Sequence, residues 1–434
     1  MIAGIIFILL VSAGVVMFTI NVKKVSRNIN LGKDLDRKDQ AQVRWKTMAR
    51  VALGQSKMVS RPAAAILHIF VYVGFVIINI EVIDMFVDGI FGTHRFLSFT
   101  GGLYSFLIAS FEILGFLVTF GCAAFLIRRN ILRLKRFTSN DLNGWPRTDA
   151  NAILISEILI MSAFFVMNAA DASLFKMGSH HYTVSFANPV SQFIMPLFAG
   201  MNEGSLIFIE RFSWWFHIVG IIGFLNYLPY SKHFHILLAF PNVYYSNLNK
   251  PGQFTNLESV SNEVKAMLDP SFTPPPADPD KPMRFGAKDV KDLSWKQLLD
   301  AYTCTECGRC TSSCPANITG KLLSPRKIMM STRDRLTEVG KNIDLNGEFK
   351  DDGKALLGNY ITAEELWACT SCNACVQECP VNIDPLSIIT DMRRFLVMEE
   401  SAAPAALNGM FSNIENNGAP WQFGQADRLN WSKE

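Results

Sequence analysis

Apolar residues crowd the chain up to about residue 240 and thin out beyond it. Within the crowded part, five stretches are long and apolar enough to cross a membrane, which takes about 20 helical residues for a ~30 Å hydrocarbon core. They lie near 2–20, 63–86, 103–127, 152–170 and 209–240. A proline-rich arm follows at 251–286, containing SFTPPPADPDKP, a composition that makes a semi-rigid linker and no packed core. Beyond it come short helical patterns, such as SPRKIMMSTRDRL at 324–336 and DPLSIITDMRRFLVMEE at 384–400. Asp384 suits an N-cap there and Pro385 the first helical position. No strand-rich pattern appears. The expected fold is all-α. It has a five-helix transmembrane unit over 1–245, a linker over 246–288, a helical domain over 289–400 and a tail over 401–434.

Charge placement orients this arrangement. Loop 21–62 holds eleven Lys and Arg residues and loop 128–151 holds six, whereas loops 87–102 and 172–205 hold one each, Arg95 and Lys176. Positive loops stay cytoplasmic, so the N-terminus is expected outside and the C-terminal half in the cytoplasm, at an inner membrane. The first span lacks a basic leader and a small-residue cleavage site, and Lys23 and Lys24 follow it, so an uncleaved anchor is expected. The net charge of +3 adds little. Membrane lipid is an expected partner and nucleic acid is not.

Eight of the nine cysteines form two matched runs, CTECGRCTSSCP at 304–315 and CTSCNACVQECP at 369–380. Spacings of two and three residues are too tight for independent disulfides. The pattern C-x2-C-x2-C-x3-C-P is that of two-cluster ferredoxins, in which the fourth cysteine of each run ligates the other cluster. Cys304, Cys307, Cys310 and Cys379 are therefore expected to hold one [4Fe–4S] cluster, and Cys369, Cys372, Cys375 and Cys314 the second. Gly308 is expected to permit close backbone approach to the inorganic core. Zinc also uses C-x2-C pairs, but two four-cysteine runs ending in Cys-Pro favour iron–sulfur. A compact ββ-ferredoxin is disfavoured by the 54 residues between Cys314 and Cys369. The ninth cysteine, Cys122, reads as a small buried hydrophobe.

Histidine inside a span is rare and usually functional. His68 follows Pro62 by six residues and His235 precedes Pro241 by six. If those prolines bound the second and fifth helices, both histidines sit about 9 Å from the cytoplasmic ends. Two facing histidines at one depth suit axial ligation of a haem iron. His217 and His235 are 18 residues apart, which is about five helical turns and one shared face, blurred by Pro229 between them. Glu81, Asp84, Glu112 and Glu157 also lie in or near spans. Asp84 reads as a polar contact between helices or a residue near the interface, while Glu112 and Glu157 are candidates for proton transfer to a quinone.

FHIVGIIGFLNYLPYSKHFHILLAFP at 216–241 resembles the fifth helix of the respiratory nitrate reductase gamma subunit, a five-span cytochrome b. That resemblance implies two haems b between the second and fifth helices. His217 and His235 match its fifth-helix pair and His68 matches its inner second-helix ligand. The outer second-helix position is Ile78 here, so a second haem at His217 would need another partner, such as Met85 or His94, or His217 lines a quinone pocket. CTECGRCTSSCPANITGKLLSPRKIMM, ACTSCNACVQECPVNIDPLSIITDMRR and FSNIENNGAPW resemble the iron–sulfur part of heterodisulfide-reductase-like proteins. They also resemble electron-transfer-flavoprotein:menaquinone oxidoreductase-type proteins. In fused relatives a module with cysteine-rich CCG motifs follows this point. Here the chain reaches Glu434 without further cysteine, which implies that such a module is a separate subunit docking on the 401–434 tail.

The combined expectation is an oxidoreductase subunit with two [4Fe–4S] clusters and one or two haems b. It would relay electrons between a soluble partner, an electron-transfer flavoprotein through a CCG-type subunit, and menaquinone or another quinone. The alternatives are a quinol-oxidising subunit that feeds a heterodisulfide or sulfur-compound reductase, and a membrane-bound redox sensor.

Overall fold

The computed structural model describes residues 2–275 and 284–433. The centre of the proline-rich arm, 276–283, lies outside the described residues. Five helices are long and apolar enough to cross a membrane: α1 Ile2–Ile29, α2 Pro62–Phe91, α3 Gly102–Leu126, α4 Trp145–Met177 and α5 Glu203–Tyr227. Each starts or stops for a local reason. Pro62 opens α2, Asn202 caps α5 by accepting from the Ser205 N–H at 2.8 Å, and Gly92 and Gly178 close α2 and α4 with φ near +70°.

Helix α3 packs between α2 and α4, α4 packs along α5, and α1 lies against α2 and α5. Close approach needs small residues, since lipid gives no hydrophobic push between helices. A Cβ on Gly74 would lie 2.3 Å from a methyl of Val118, so any side chain there would force α2 away from α3. The outward surface is apolar: Phe208, Phe212 and Phe216 stack one turn apart on the open face of α5. Polar groups turn inward, including Glu112, Asn168, Asp171 and His217.

The fifth span departs from the sequence reading. Helix α5 ends at Tyr227, two 3-10 turns follow at Leu228–Tyr230 and Lys232–Phe234, and α6 begins at His235 and runs to Tyr244. Pro229 sits in the first turn and interrupts the helix, while Pro241, expected to stop it, lies inside α6. His217 and His235 are therefore on different helices, and the five-turn argument for a shared face does not hold.

The arm over 246–288 contains a helix, α7 Glu258–Leu268, that buries none of its residues. The cysteine-bearing domain is helical, built on α8 Trp295–Thr303, α9 Pro325–Asn346 and α10 Pro385–Met398. Among the described residues strand pairing is limited to isolated bridges. Asp384 caps α10 by accepting from the Ser387 N–H at 3.1 Å, with Pro385 next, as the sequence indicates. One apolar core joins Leu298, Ile328, Leu336, Ile388 and Met392 of this domain to Val25, Ile29, Leu228 and Phe234 at one end of the bundle. In the tail, α11 Ala405–Asn417 buries nothing, and Trp421, Phe423 and Trp431 are exposed.

Candidate redox centre at the bundle end

The two cysteine runs fold alike. In each, the residue two after the first cysteine has positive φ (Glu306 +56°, Ser371 +57°), and so does the residue four after it (Gly308 +73°, Asn373 +60°). A short helix then carries the third cysteine: Arg309–Ser312 and Ala374–Glu378. This left-handed pattern curls three cysteines about one point, and non-glycine residues adopt it rarely enough that its recurrence marks a functional loop. At Gly308 the crowding comes from the protein: a Cβ would meet Arg326 at 2.6 Å and the Arg136 carbonyl at 3.2 Å. That close approach is an additional reason for glycine beyond the one read from sequence.

Cys304, Cys307 and Cys310 line a cavity together with Cys379 of the other run, and Cys375 also borders it. Cys314 lies within electrostatic range of Cys369 and Cys375. All nine cysteines are free thiols, and Cys122 is buried alone in the bundle. Burial pushes the Cys304 and Cys379 thiols up to about 12, so thiolates there need a compensating cation. Ferric and ferrous iron supply that charge, and the soft sulfur set fits them. Backbone N–H groups of Ser371 and Ile383 donate to the sulfurs of Cys369 and Cys379 at 3.4 and 3.3 Å, contacts that tune a cluster's potential.

The basic loops of the bundle grip this domain. Lys57 donates to the carbonyls of Val376 and Cys379 and to Asn382, while Arg61 donates to Ser312, Ser313 and Glu378. Arg309 returns from the first run to the Lys57 carbonyl at 3.1 Å. Arg326, almost wholly buried, reaches Asp141, Ser139 and the Arg136 carbonyl of the second basic loop. The positive residues that orient the chain thus also form its interdomain contacts, a second role that charge counting does not reveal.

Three histidines gather beside these contacts. His68 on α2, His233 and His235 lie near enough for each charge to be felt by its neighbours, and Arg309 is near His68. His235 pairs its Nδ1 with the Lys232 carbonyl at 3.1 Å, which leaves Nε2 free. That is the usual arrangement for a metal-binding imidazole. His68 Nδ1 is buried without a partner. The His233 ring stands against that of His235, their centroids 5.5 Å apart. His68 and His235 are the two side chains that would hold a haem here, with His233 an adjacent imidazole that sequence depth did not single out.

The remaining candidates scatter. His217 is buried and hydrogen-bonded through Nδ1 to the Ile160 carbonyl at 2.9 Å. Met85 and His94, considered as its partners, line a cavity at the far end of the bundle, and His217 is not among that cavity's lining residues. Glu112 is fully buried and accepts from Asn168, the Val190 N–H, and the Ser191 N–H and hydroxyl, which makes it the anchor of the 187–198 loop. Glu157 is half-buried near Cys122 and, among the described residues, makes no side-chain hydrogen bond. Asp84 is buried and makes a polar contact, accepting from the Leu97 N–H at 2.8 Å.

Residues 303–383 match the family of 4Fe-4S dicluster domains. Over 99% of its length the chain is 27% identical to a probable iron-sulfur-binding oxidoreductase, FadF, of Bacillus subtilis, covering 61% of that protein. It is 25% identical over 88% of its length to the EtfAB:quinone oxidoreductase of Syntrophomonas wolfei, covering 53% of it. A probable membrane-anchored ferredoxin of Chromohalobacter salexigens is 34% identical over 36% of this chain and 25% of its own. The chain spans between half and two thirds of the length of the first two relatives. No solved structure matches it. The chain carries a 4Fe-4S dicluster domain on a bundle of five apolar helices and is related along nearly its whole length to iron–sulfur oxidoreductases.

Proposed function

We propose that the protein is a membrane-bound electron-transfer subunit. It relays electrons between the quinone pool and a soluble cytoplasmic redox partner. The observation that carries this reading is the junction: the segment bearing His233 and His235, and the loop leading into α2 with His68, both contact the cysteine runs. A relay requires such adjacency, because transfer depends on short, fixed spacing between centres.

When bound, [4Fe–4S] clusters and a b-type haem supply one-electron transfer at tunable potentials. The chain's residues supply ligation, spacing and dielectric. Cys304, Cys307, Cys310 and Cys379 would hold one cluster; Cys369, Cys372, Cys375 and Cys314 the other; His68 and His235 one haem. Cys372 is the exposed cysteine, so its cluster faces the solvent and a partner, while the Cys304 set faces the bundle. Apolar packing around Cys304 and Cys314 excludes water. The basic loops favour a cytoplasmic position for this end by the positive-inside rule.

The relative from Syntrophomonas wolfei is named as an oxidoreductase of EtfAB and quinone, which favours a flavoprotein donor and a quinone acceptor for this chain. The exposed aromatic tail, Trp421, Phe423 and Trp431, suits docking of an iron–sulfur partner of the CCG type. The test uses the chain purified with its bound partners. Reduced electron-transfer flavoprotein should reduce the clusters and then a menaquinone analogue. Absence of cluster reduction by the flavoprotein would overturn the donor assignment.

A further inference from the structure

The bundle end remote from the cysteines holds a cavity of about 200 Å³ between α1, α2, α4 and α5. Its lining carries five carboxyl groups and two guanidinium groups, an excess of negative charge in a partly enclosed space. Nothing in the electron-transfer reading uses it.

Three of its residues, His94, Asp171 and Glu210, bring ligand atoms within 4.8 Å of one another. His94 faces Asp171 through Nε2 at 3.0 Å, and Arg95 holds the same Asp171 oxygen at 2.6 Å. That leaves the other ring nitrogen of His94, Nδ1, and the other oxygen of Asp171, Oδ1, both buried without a partner. Nε2 is the ring nitrogen turned to Asp171, so an ion shared by the two would bind Nε2 in place of that hydrogen bond, with the unpartnered Asp171 Oδ1 as the free donor beside it. Glu81, 3% exposed, also lines the cavity, and its Oε2 is buried without a partner. Buried acceptors of this kind are normally satisfied, and here the unsatisfied atoms border one cavity.

Glu210 is fixed by Arg211 on both oxygens and by the Tyr182 hydroxyl at 2.8 Å. Arg95 and Arg211 thus orient the two carboxylates as outer-shell partners orient metal ligands. A set of one imidazole nitrogen and two carboxylates suits a borderline divalent ion such as zinc; calcium and magnesium prefer oxygen alone. The His181 ring, with its centroid 5.2 Å from that of His94, stands beside the open side of the set.

We propose that His94, Asp171 and Glu210 form a divalent transition-metal site at the far end of the bundle, distinct from the iron centres. The site takes its cation from the aqueous phase on that side. Bound there, the ion cross-links the loop after α2 to α4 and α5.

The test uses the full chain in detergent, stripped with a chelator that spares the clusters, then dialysed against Zn²⁺ at about 10 μM and read by elemental analysis and zinc K-edge absorption. One zinc per chain is expected, with only nitrogen and oxygen neighbours at about 2.0–2.2 Å. His94→Ala should weaken binding at least about tenfold, with iron content unchanged, and His180→Ala should not. Should His94→Ala fail to fold, Asp171→Asn reads the same site. Zinc that is absent, that shows sulfur neighbours at about 2.3 Å, or that is retained undiminished in a folded His94→Ala or Asp171→Asn protein would overturn the proposal.

Discussion

Lys232 ion-pairs through its ammonium with Glu306, one of the two residues between Cys304 and Cys307, while its carbonyl oxygen is the hydrogen-bond partner of the His235 ring. One residue therefore touches the cysteine run with its side chain and the histidine with its backbone. Arg333 shares Glu306 at 2.8 Å, so the carboxylate stays paired from two sides.

This division predicts separable effects. Lys232→Met removes a buried positive charge beside the first run and keeps the carbonyl. The cluster held by Cys304 should become harder to reduce by tens of millivolts, about 59 mV corresponding to a tenfold change for one electron. The haem absorption should persist. A redox titration followed by electron paramagnetic resonance checks the first, and a reduced-minus-oxidised spectrum checks the second.

The proposed exchange of fourth ligands between the runs has its own signature. Cys379→Ser and Cys304→Ser should deplete the same spectral component, and Cys314→Ser and Cys369→Ser the other. If Cys379→Ser instead matched Cys369→Ser, each run would hold its own cluster and the shared cavity would have misled.

On the proposed reading, in which His68 and His235 would hold a haem, His68→Ala should abolish the reduced b-type band. His217→Ala should leave that band in place, because His217 sits against Ile160 and Phe164 in the middle of the bundle, away from the His68, His233 and His235 group. A band surviving His68→Ala would point to His233 as the ligand in use.

Arg326 is the main buried tie between the domain and the second basic loop. Arg326→Ala strands Asp141 and should cost about 3–5 kcal/mol, the usual range for breaking a buried ion pair. Limited proteolysis within 128–151 should accelerate, while a control at exposed Lys321 should not change it.

The same pair sets a pH dependence. Burial pulls the Asp141 carboxyl up, but hydrogen bonds from Arg326 and Ser139 outweigh it and hold it below its ordinary 3.8. A depressed carboxyl contributes its full stabilisation above the unfolded value and loses it as pH falls through the folded one. Docking of the two domains should therefore be constant above about pH 5 and weaken on acidification below the unfolded value of about 3.9. Thermal melts of wild type and Asp141→Asn across that range should converge at the acid end.

The sequence alone determined the elements. Hydrophobic run length revealed five helices, because crossing a membrane demands about 20 apolar residues and little else does. Cysteine spacing revealed the dicluster domain, because the ligand geometry of a cluster is written in intervals of two and three residues. Even the Asp384 cap and Pro385 were legible, being local hydrogen-bonding rules.

What sequence could not decide was anything that depends on where separate elements meet. It treated 209–240 as one helix, since apolarity continues through Pro229, and only the backbone shows the break that gives His235 its own helix. It offered Glu112 as a candidate for proton transfer beside Glu157, and could not show that the 187–198 loop folds back to donate to it. It counted Lys57 and Arg61 as topological charge, though they also contact the cysteine domain. His94, Asp171 and Glu210 are 116 residues apart from first to last and carry no motif; only helix packing makes them neighbours.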